Sequence, residues 1–110
     1  MLELERAYAE GVRFYELRDF KAASAAFQRV LEMQDAIRLG SSRGQSIPKE
    51  VRMSGTRVVP YAPRSYLAVA LYDAKEPCSR VAQALAVSFS ETVRPEIKGR
   101  VEAADTACGV

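Results

Sequence analysis

Residues 7–31 read AYAEGVRFYELRDFKAASAAFQRVL, and this stretch decides the fold. Apolar side chains recur at spacings of three and four on both sides of the run LRDF, as in two amphipathic helices joined by a tight turn. Asp19 precedes the second apolar run and suits the N-cap of a helix that starts near Phe20 or Lys21. The stretch therefore predicts an antiparallel helix pair, which we expect to cover residues 2–39.

A second stretch of similar design follows at residues 65–89, SYLAVALYDAKEPCSRVAQALAVSF. It again has an aromatic-bearing helix, a short turn and an Ala-rich helix. Pro77 ends the first of these helices, because the residue before a proline is steered away from helical backbone. We expect this second pair at residues 63–91. A last, capping helix is expected at residues 94–108, where Pro95 suits the first turn.

The segment between the pairs, residues 40–62, is punctuated by prolines and glycine. We expect an irregular insert of about 20 residues, with a helical turn after Pro48 or an extended piece at residues 56–59 as local options. The predicted fold class is all-α, in one domain over residues 1–110. It comprises two helix pairs, the insert and the capping helix.

The composition narrows the function classes. The chain of 110 residues carries 16 Lys and Arg, 14 Asp and Glu, and no His, for a net charge of +2. A charge this small gives no electrostatic case for nucleic acid or an anionic membrane. Without His, the chain lacks the usual general base and the Ser–His and Cys–His nucleophile systems. We expect no catalytic residue, no metal site and no cofactor. We also expect no transmembrane helix, since no run of about 18 apolar residues occurs.

The two cysteines, Cys78 and Cys108, are too few for a disulfide scaffold and too far apart for a CxxC motif. The N-terminus, MLELERAYAEG, lacks the basic-then-apolar order of a secretory signal. We therefore expect two reduced thiols and a cytoplasmic location. A disulfide is the alternative, open only if the fold brings the two Cα atoms within about 7 Å.

The first helix pair resembles the tetratricopeptide repeat. That family has a small residue three positions before a large one in its first helix and A-x3-F in its second. Gly11 and Phe14 match the first feature, and Ala23 and Phe27 match the second. The resemblance implies that Gly11 lies where the two helices cross, since only a small residue lets them approach closely.

The second pair matches the same pattern less closely. Ala68 and Leu71 take the first-helix positions and, with one extra residue in the turn, Val81 and Leu85 take the second-helix positions. Gly11 and Ala68 lie 57 positions apart instead of the family's period of about 34, so the insert interrupts the array. The arrangement also resembles small bacterial proteins that carry degenerate repeats of this kind.

The family resemblance implies a protein–protein interaction module, in which the first helix of each pair lines a concave groove for a peptide or helix. The corresponding positions here are Glu5, Tyr8, Val12, Tyr15, Glu16, Ser65, Tyr66, Val69, Tyr72 and Asp73. Four of the five tyrosines would then face one groove, which suits an extended segment or an amphipathic helix. Some members grip a partner's C-terminal carboxylate with Lys and Asn. We do not expect that mode, because Tyr8 and Val12 stand at those positions.

The sequence leaves two alternatives to an open groove. In one, the tyrosines are core residues that pack against the insert, which could itself occupy the groove. In the other, the chain is a self-assembling module, a homodimer that covers the repeat faces left unpaired. A further candidate is a basic patch on the insert for RNA or an acidic partner, formed by Arg43, Lys49, Arg52 and Arg57. No aromatic residue lies among these charges, so base stacking is not supported and we do not expect nucleic acid as the partner.

Overall fold

The computed structural model describes residues 3–38, 47–53, 57–86, 88 and 91–108. Its described helices are α1 (Glu3–Glu16), α2 (Phe20–Arg38), α3 (Pro63–Asp73), α4 (Cys78–Leu85) and α5 (Pro95–Cys108). Two short strands, β1 (Glu50–Arg52) and β2 (Val58–Pro60), lie between α2 and α3. The predicted all-α fold with a C-terminal helix is confirmed. Within these residues, no helix has the length and apolar character needed to cross a membrane.

The turn between α1 and α2 is closed by backbone hydrogen bonds. The amide of Asp19 donates to the carbonyl of Phe14 at 2.9 Å, and the amide of Arg18 donates to the carbonyl of Tyr15 at 3.0 Å. Arg18 has a φ of 62°, in the left-handed region that this type of helix end requires. Asp19 Oδ1 accepts from the amide of Ala22 at 3.3 Å, which confirms Asp19 as the N-cap of α2.

The crossing of α1 and α2 depends on Gly11. A Cβ atom at Gly11 would lie 2.8 Å from Cε1 of Phe27, closer than side-chain carbons approach one another. Phe27 is fully buried, so the structure confirms that the small residue on α1 meets the large residue of the A-x3-F pair on α2; Ala23 of that pair is buried as well. Arg29 of α2 lies 3.7 Å from Glu3 at the start of α1, as expected when α2 runs back along α1.

The central helix α3 is buried along most of its length, from Pro63 to Leu71, with Arg64 half-buried. It packs against α2, α4 and α5. A helix enclosed in this way is apolar on all sides and needs no polar face. In α4, Val81 and Leu85 point into the core, as the gapped comparison of the two pairs predicts.

The turn after α3 repeats the turn after α1. Lys75 has a φ of 61°, its amide donates to the carbonyl of Tyr72, and the amide of Glu76 donates to the carbonyl of Leu71. Each residue in this pattern lies 57 positions after the corresponding residue of the first turn. The two helix pairs therefore share the same helix-ending geometry at the offset that relates Gly11 to Ala68.

The prediction of an irregular insert is wrong, because its described part contains a β-ribbon. β1 and β2 pair antiparallel, with Val51 opposite Val59. Both valines are buried, and so is Met53 beyond the end of β1. Alternation of buried and exposed residues in each strand is what a ribbon with one covered face requires. Of the two local options, the extended piece is present at Val58–Pro60 and the helical turn after Pro48 is absent.

The last helix, α5, caps the second pair by packing on α3 and α4, with Ile97 and Ala104 buried. A disulfide joins Cys78 at the start of α4 to Cys108 at the end of α5, with the Cα atoms 4.9 Å apart. The prediction of two reduced thiols is wrong, because α5 returns along α4 and brings the distant cysteines together. Disulfides persist mainly in oxidising compartments, so the cytoplasmic location stays a prediction.

Candidate functional site

One end of the predicted groove is filled by the chain itself, around Tyr8. The Tyr8 side chain is fully buried. Its hydroxyl donates to the carbonyl of Pro60 at 2.6 Å and accepts from the amide of Ala62 at 3.1 Å. Its ring lies 4.9 Å from that of Tyr61 and 5.6 Å from that of Phe27, measured between centroids. Burial raises the pKa of the Tyr8 hydroxyl well above its usual value, and the hydrogen bond from Ala62 opposes that shift in part.

This arrangement corrects the groove prediction for four of its residues. Tyr8, Val12, Ser65 and Val69 are each at most 2% exposed, so they cannot form the wall of an open groove at that end. The insert covers α1 where a peptide would have to lie, which is the alternative in which the tyrosines are core residues. Only a structure could reveal this, because a groove-lining aromatic and a core aromatic have the same helical spacing.

The other end of the predicted groove remains open. A cavity of about 530 Å³ lies between the ends of α1 and α3 and the start of α5. Its lining residues are mostly charged or aromatic: Tyr15, Glu16, Arg18, Phe20, Tyr66, Asp73, Arg94, Glu96, Ile97 and Arg100. We call this cavity the polar cleft. It brings together four of the predicted groove residues, namely Tyr15, Glu16, Tyr66 and Asp73.

Two other predicted groove residues lie outside the lining of this cleft. Glu5 is half-buried near the start of α1. Tyr72 is half-buried and lies beneath Arg100, whose guanidinium carbon is 5.4 Å from the centre of the Tyr72 ring. Tyr72 therefore supports the cleft wall through a cation–π contact.

Asp73 is held by two neighbours. The Tyr15 hydroxyl donates to Asp73 Oδ2 at 2.8 Å, and the guanidinium of Arg100 pairs with Asp73 Oδ1. Burial raises the pKa of Tyr15, and the hydrogen bond to Asp73 raises it further. The same ion pair raises the pKa of Arg100. These bonds connect α1, α3 and α5 across the cleft, so its charged groups are fixed in position.

Glu16 accepts two hydrogen bonds from Arg57, at 3.0 and 2.9 Å, and these raise the pKa of Arg57. The pairing corrects the prediction of a basic patch at Arg57, because that charge is neutralised by a carboxylate of α1. Lys49 and Arg52 are exposed on the insert. Arg43, the fourth member of the predicted patch, lies outside the described residues.

Two buried polar atoms belong to residues that line the cleft, and neither makes a hydrogen bond of normal geometry within the described residues. They are the hydroxyl of Tyr66 and Nε of Arg94. Arg94 has only long ion-pair contacts, 3.9 Å to Glu16 and 3.9 Å to Glu96. Burial raises the pKa of the Tyr66 hydroxyl, and the neighbouring Arg94 guanidinium opposes the shift, both through its positive charge and as a hydrogen-bond donor. Unpaired buried donors are rare in native proteins.

Sequence reasoning missed Arg94 and Arg100, because α5 was interpreted only as a cap. A signal was present for Arg100, which follows Ile97 by three positions and so shares the inward side of α5. Arg94 immediately precedes Pro95, outside the helix, and no sequence pattern indicates that it faces the cleft. Its place in the cleft follows from the path of the chain between α4 and α5.

Glu91 has a structural role at the start of α3. Its carboxylate accepts from the amide of Ser65 at 2.7 Å, the amide of Arg64 at 3.1 Å and the hydroxyl of Ser65 at 2.9 Å. Burial raises its pKa despite these bonds. A carboxylate at a helix N-terminus that is fully engaged by backbone amides is explained by capping. In the described part of the chain, no three His, Cys, Asp or Glu side chains converge as metal ligands do.

No family model, no curated protein and no solved structure matches this chain. The likeness to tetratricopeptide repeats therefore stays a prediction. What the molecule itself provides is a pair of helix hairpins with equivalent turns, joined by a ribbon and capped by a disulfide-linked helix.

Proposed function

We propose that the chain is a non-catalytic protein-binding module whose polar cleft receives a short segment of a partner protein. The observation that carries this proposal is the open cavity of about 530 Å³, whose lining combines aromatic side chains with charged groups held by hydrogen bonds and ion pairs. Such a lining offers a bound segment both apolar contact area and charged groups fixed in position.

The size and position of the cleft favour a short segment over a whole helix. Its volume of about 530 Å³ is that of a pocket for a few side chains. The insert already occupies the Tyr8 end, so a long helix lying across both α1 and α3 would collide with Tyr61 and its neighbours. The lining of the cleft, in contrast, contains no residue of the insert.

Binding is favoured over catalysis by the state of the cleft's charged groups. Asp73 is engaged by Tyr15 and Arg100, and Glu16 is engaged by Arg57. Carboxylates fixed in ion pairs hold a surface in one shape and help to select a partner. They do not serve as free general bases, which must reach a substrate proton directly.

The proposal is tested by selecting peptides from a random display library on the purified chain and measuring their affinity by calorimetry. Arg100→Ala removes one wall of the cleft, and we expect it to weaken selected peptides by about tenfold or more. Arg29→Ala is the matched control, because Arg29 is exposed and pairs with Glu3 at a separate cavity. If both folded variants bind the selected peptides as the unaltered chain does, the cleft is not the binding site.

Self-assembly is the second candidate. It is favoured by a separate open cavity of about 510 Å³ between α1 and α2, where Phe14 and Met33 are half-buried beside Ala22, Ala25 and Ala26. A second copy of the chain could cover these apolar side chains. Sedimentation equilibrium on the unaltered chain and on Ala25→Glu tests this. A concentration-dependent dimer that the substitution abolishes would support self-assembly, and a monomer in both cases would exclude it.

A further inference from the structure

The β-ribbon of the insert has one edge that the rest of the chain closes. At Pro60, the last residue of β2, the carbonyl accepts a hydrogen bond from the Tyr8 hydroxyl. Pro60 also lacks an N–H group, so this end of β2 offers nothing to a further strand. The sheet in the described part of the chain has two strands, β1 and β2. A third strand would therefore have to pair with the outer edge of β1.

The outer edge of β1 is formed by the backbone groups of Glu50 and Arg52. The amide of Met53 donates to the carbonyl of Arg57 at 2.8 Å, which makes these two residues a hydrogen-bonded pair. Bonded and unbonded pairs alternate along an antiparallel ladder. Glu50 and Arg52 therefore stand at unbonded positions, and their N–H and C=O groups point away from β2. Among the described residues, these groups have no hydrogen-bond partner.

The side chains of β1 separate into two faces. Glu50 and Arg52 are exposed on one face, and Val51 and Met53 are buried on the other. Neither charged side chain takes part in a salt bridge within the described residues. The edge thus presents one negative and one positive charge, two positions apart, with Val51 between them.

This charge pattern is complementary to itself. When two copies of β1 pair antiparallel about a two-fold axis at Val51, Glu50 of each copy lies opposite Arg52 of the other. The outward backbone groups then form four hydrogen bonds, and two pairs of opposite charges face each other across the strands. A register shifted by two residues places Glu50 against Glu50 or Arg52 against Arg52, which repel. Pro48 lacks the N–H group that would extend the ladder.

We propose that the outer edge of β1 is a homodimer interface, in which β1 strands of two copies pair antiparallel with Glu50 opposite Arg52 and form a four-stranded sheet. A second copy is favoured over an extended segment of another protein, because it supplies both matching charges and the two-fold register from this sequence alone. The interface is separate from the polar cleft and from the cavity between α1 and α2, since no residue of β1 lines either of them.

The first test measures association and locates it. Sedimentation equilibrium of the unaltered chain between about 1 µM and about 1 mM should show a reversible dimer. Amide hydrogen exchange by NMR should then become slower at Glu50 and Arg52 as the protein concentration rises. The amide of Met53, which is already bonded to Arg57 within one copy, should change much less.

The second test exchanges the charges. Glu50→Arg and Arg52→Glu each place like charges opposite each other at two points of the symmetric interface, so each should weaken the dimer by about tenfold or more. An equimolar mixture of the two variants should associate again, because one copy then carries two positive charges and the other two negative ones. Lys98→Glu is the matched charge reversal, exposed on α5, and should leave the dimer unchanged. Thermal unfolding checks that each variant is folded.

Each contrary result overturns the proposal in a distinct way. A chain that stays monomeric up to about 1 mM excludes a second copy and leaves an extended segment of another protein as the occupant of the edge. A dimer that both charge variants retain but Ala25→Glu abolishes belongs to the cavity between α1 and α2. A mixture of the two charge variants that stays monomeric excludes the pairing of Glu50 with Arg52. Peptide binding at the polar cleft is measured separately, so none of these results decides the proposed function.

Discussion

The hydroxyl of Tyr8 in α1 donates a hydrogen bond of 2.6 Å to the carbonyl of Pro60, the last residue of β2, 52 positions later in the chain. The same hydroxyl accepts from the amide of Ala62 at 3.1 Å. One side chain thus satisfies two backbone groups where the insert passes over α1. Tyr8 has the helical spacing of a groove-lining tyrosine, but these two hydrogen bonds make it the residue that holds the insert on α1. Because the insert covers this end of the groove, only the polar cleft stays open.

Tyr8→Phe is therefore expected to destabilise the fold by about 2–4 kcal/mol, because it removes the partner of the part-buried Pro60 carbonyl and of the buried Ala62 amide. Tyr66→Phe is the matched control. Its hydroxyl is buried too but makes no hydrogen bond of normal geometry in the described structure, so its removal should change the free energy of unfolding by less than about 0.5 kcal/mol. Urea denaturation of both variants measures the difference. Equal losses would show that the two hydroxyls are in similar environments.

Gly11→Ala is expected to destabilise the fold by about 1–3 kcal/mol, since the added methyl group would lie 2.8 Å from the Phe27 ring. Gly99→Ala should change the free energy of unfolding in the opposite direction. Apart from its two chain neighbours and the nearby backbone of α5 itself, no described atom lies within 4 Å of a Cβ at Gly99, so alanine should stabilise that helix by about 0.5–1 kcal/mol. Thermal unfolding of the two variants checks the pair. A stabilised Gly11→Ala would mean that α1 and α2 do not cross at this point.

The first helix pair could be predicted from sequence because its determinants are local. Asp19 as N-cap, and Gly11 against Phe27, depend on spacings within one helical hairpin, and the structure has both. The ribbon could not be predicted, since Val51 and Val59 lie in strands of three residues, too short for an alternating pattern to be recognised. Residue composition alone indicated only a punctuated linker.

The candidate site was predictable only in part, for the same physical reason. Tyr15 and Asp73 belong to the two helices whose repeat-like pattern could be compared, and they do meet in the cleft. Arg94 comes from the segment before α5, and the pairing of Cys78 with Cys108 depends on how α5 lies on α4. Tertiary contacts of this kind leave no pattern in the local spacing of residues. The sequence therefore predicted reduced thiols at Cys78 and Cys108 and did not identify Arg94.

The shared helix-ending geometry yields a stabilisation test. Arg18 and Lys75 have φ values of 62° and 61°, a conformation that glycine adopts at lower energy than other residues. Arg18→Gly and Lys75→Gly should each raise the free energy of unfolding by about 0.5–1 kcal/mol. Arg13→Gly, at an exposed position within α1, should lower it by about 1 kcal/mol. Chemical denaturation compares the three variants. Destabilisation by Arg18→Gly equal to that by Arg13→Gly would rule out the left-handed turn.

The disulfide predicts a large effect of cysteine replacement. The double variant Cys78→Ser and Cys108→Ser opens a loop with a sequence separation of 30 residues. The chain-entropy relation assigns such a loop about 3–4 kcal/mol of stability. Hydrogen exchange should show the loss first in α5, which the bond ties to α4. Adding a dithiol should destabilise the unaltered chain and leave the double variant unaffected. Free thiols in the folded, non-reduced protein would contradict the bond.

The pH dependence of stability should carry a contribution from Glu91. Burial raises the pKa of its carboxyl above the usual value of 4.5, so the native state binds this proton more tightly than the unfolded chain does. A raised carboxyl pKa contributes stability that is fully present below the unfolded value and is lost as the pH rises through the folded value.

Glu91→Gln removes the titrating group, so the difference in stability between the unaltered chain and this variant should depend on pH. Between about pH 4 and pH 8 we expect the unaltered chain to lose stability relative to Glu91→Gln as the pH increases. Gly99→Ala changes no ionisable group, and its difference from the unaltered chain should be the same at both ends of that range. Urea unfolding of all three proteins at each pH provides the measurement. A relative gain of stability for the unaltered chain on raising the pH would mean that the hydrogen bonds from Ser65 and Arg64 outweigh the burial of the carboxylate.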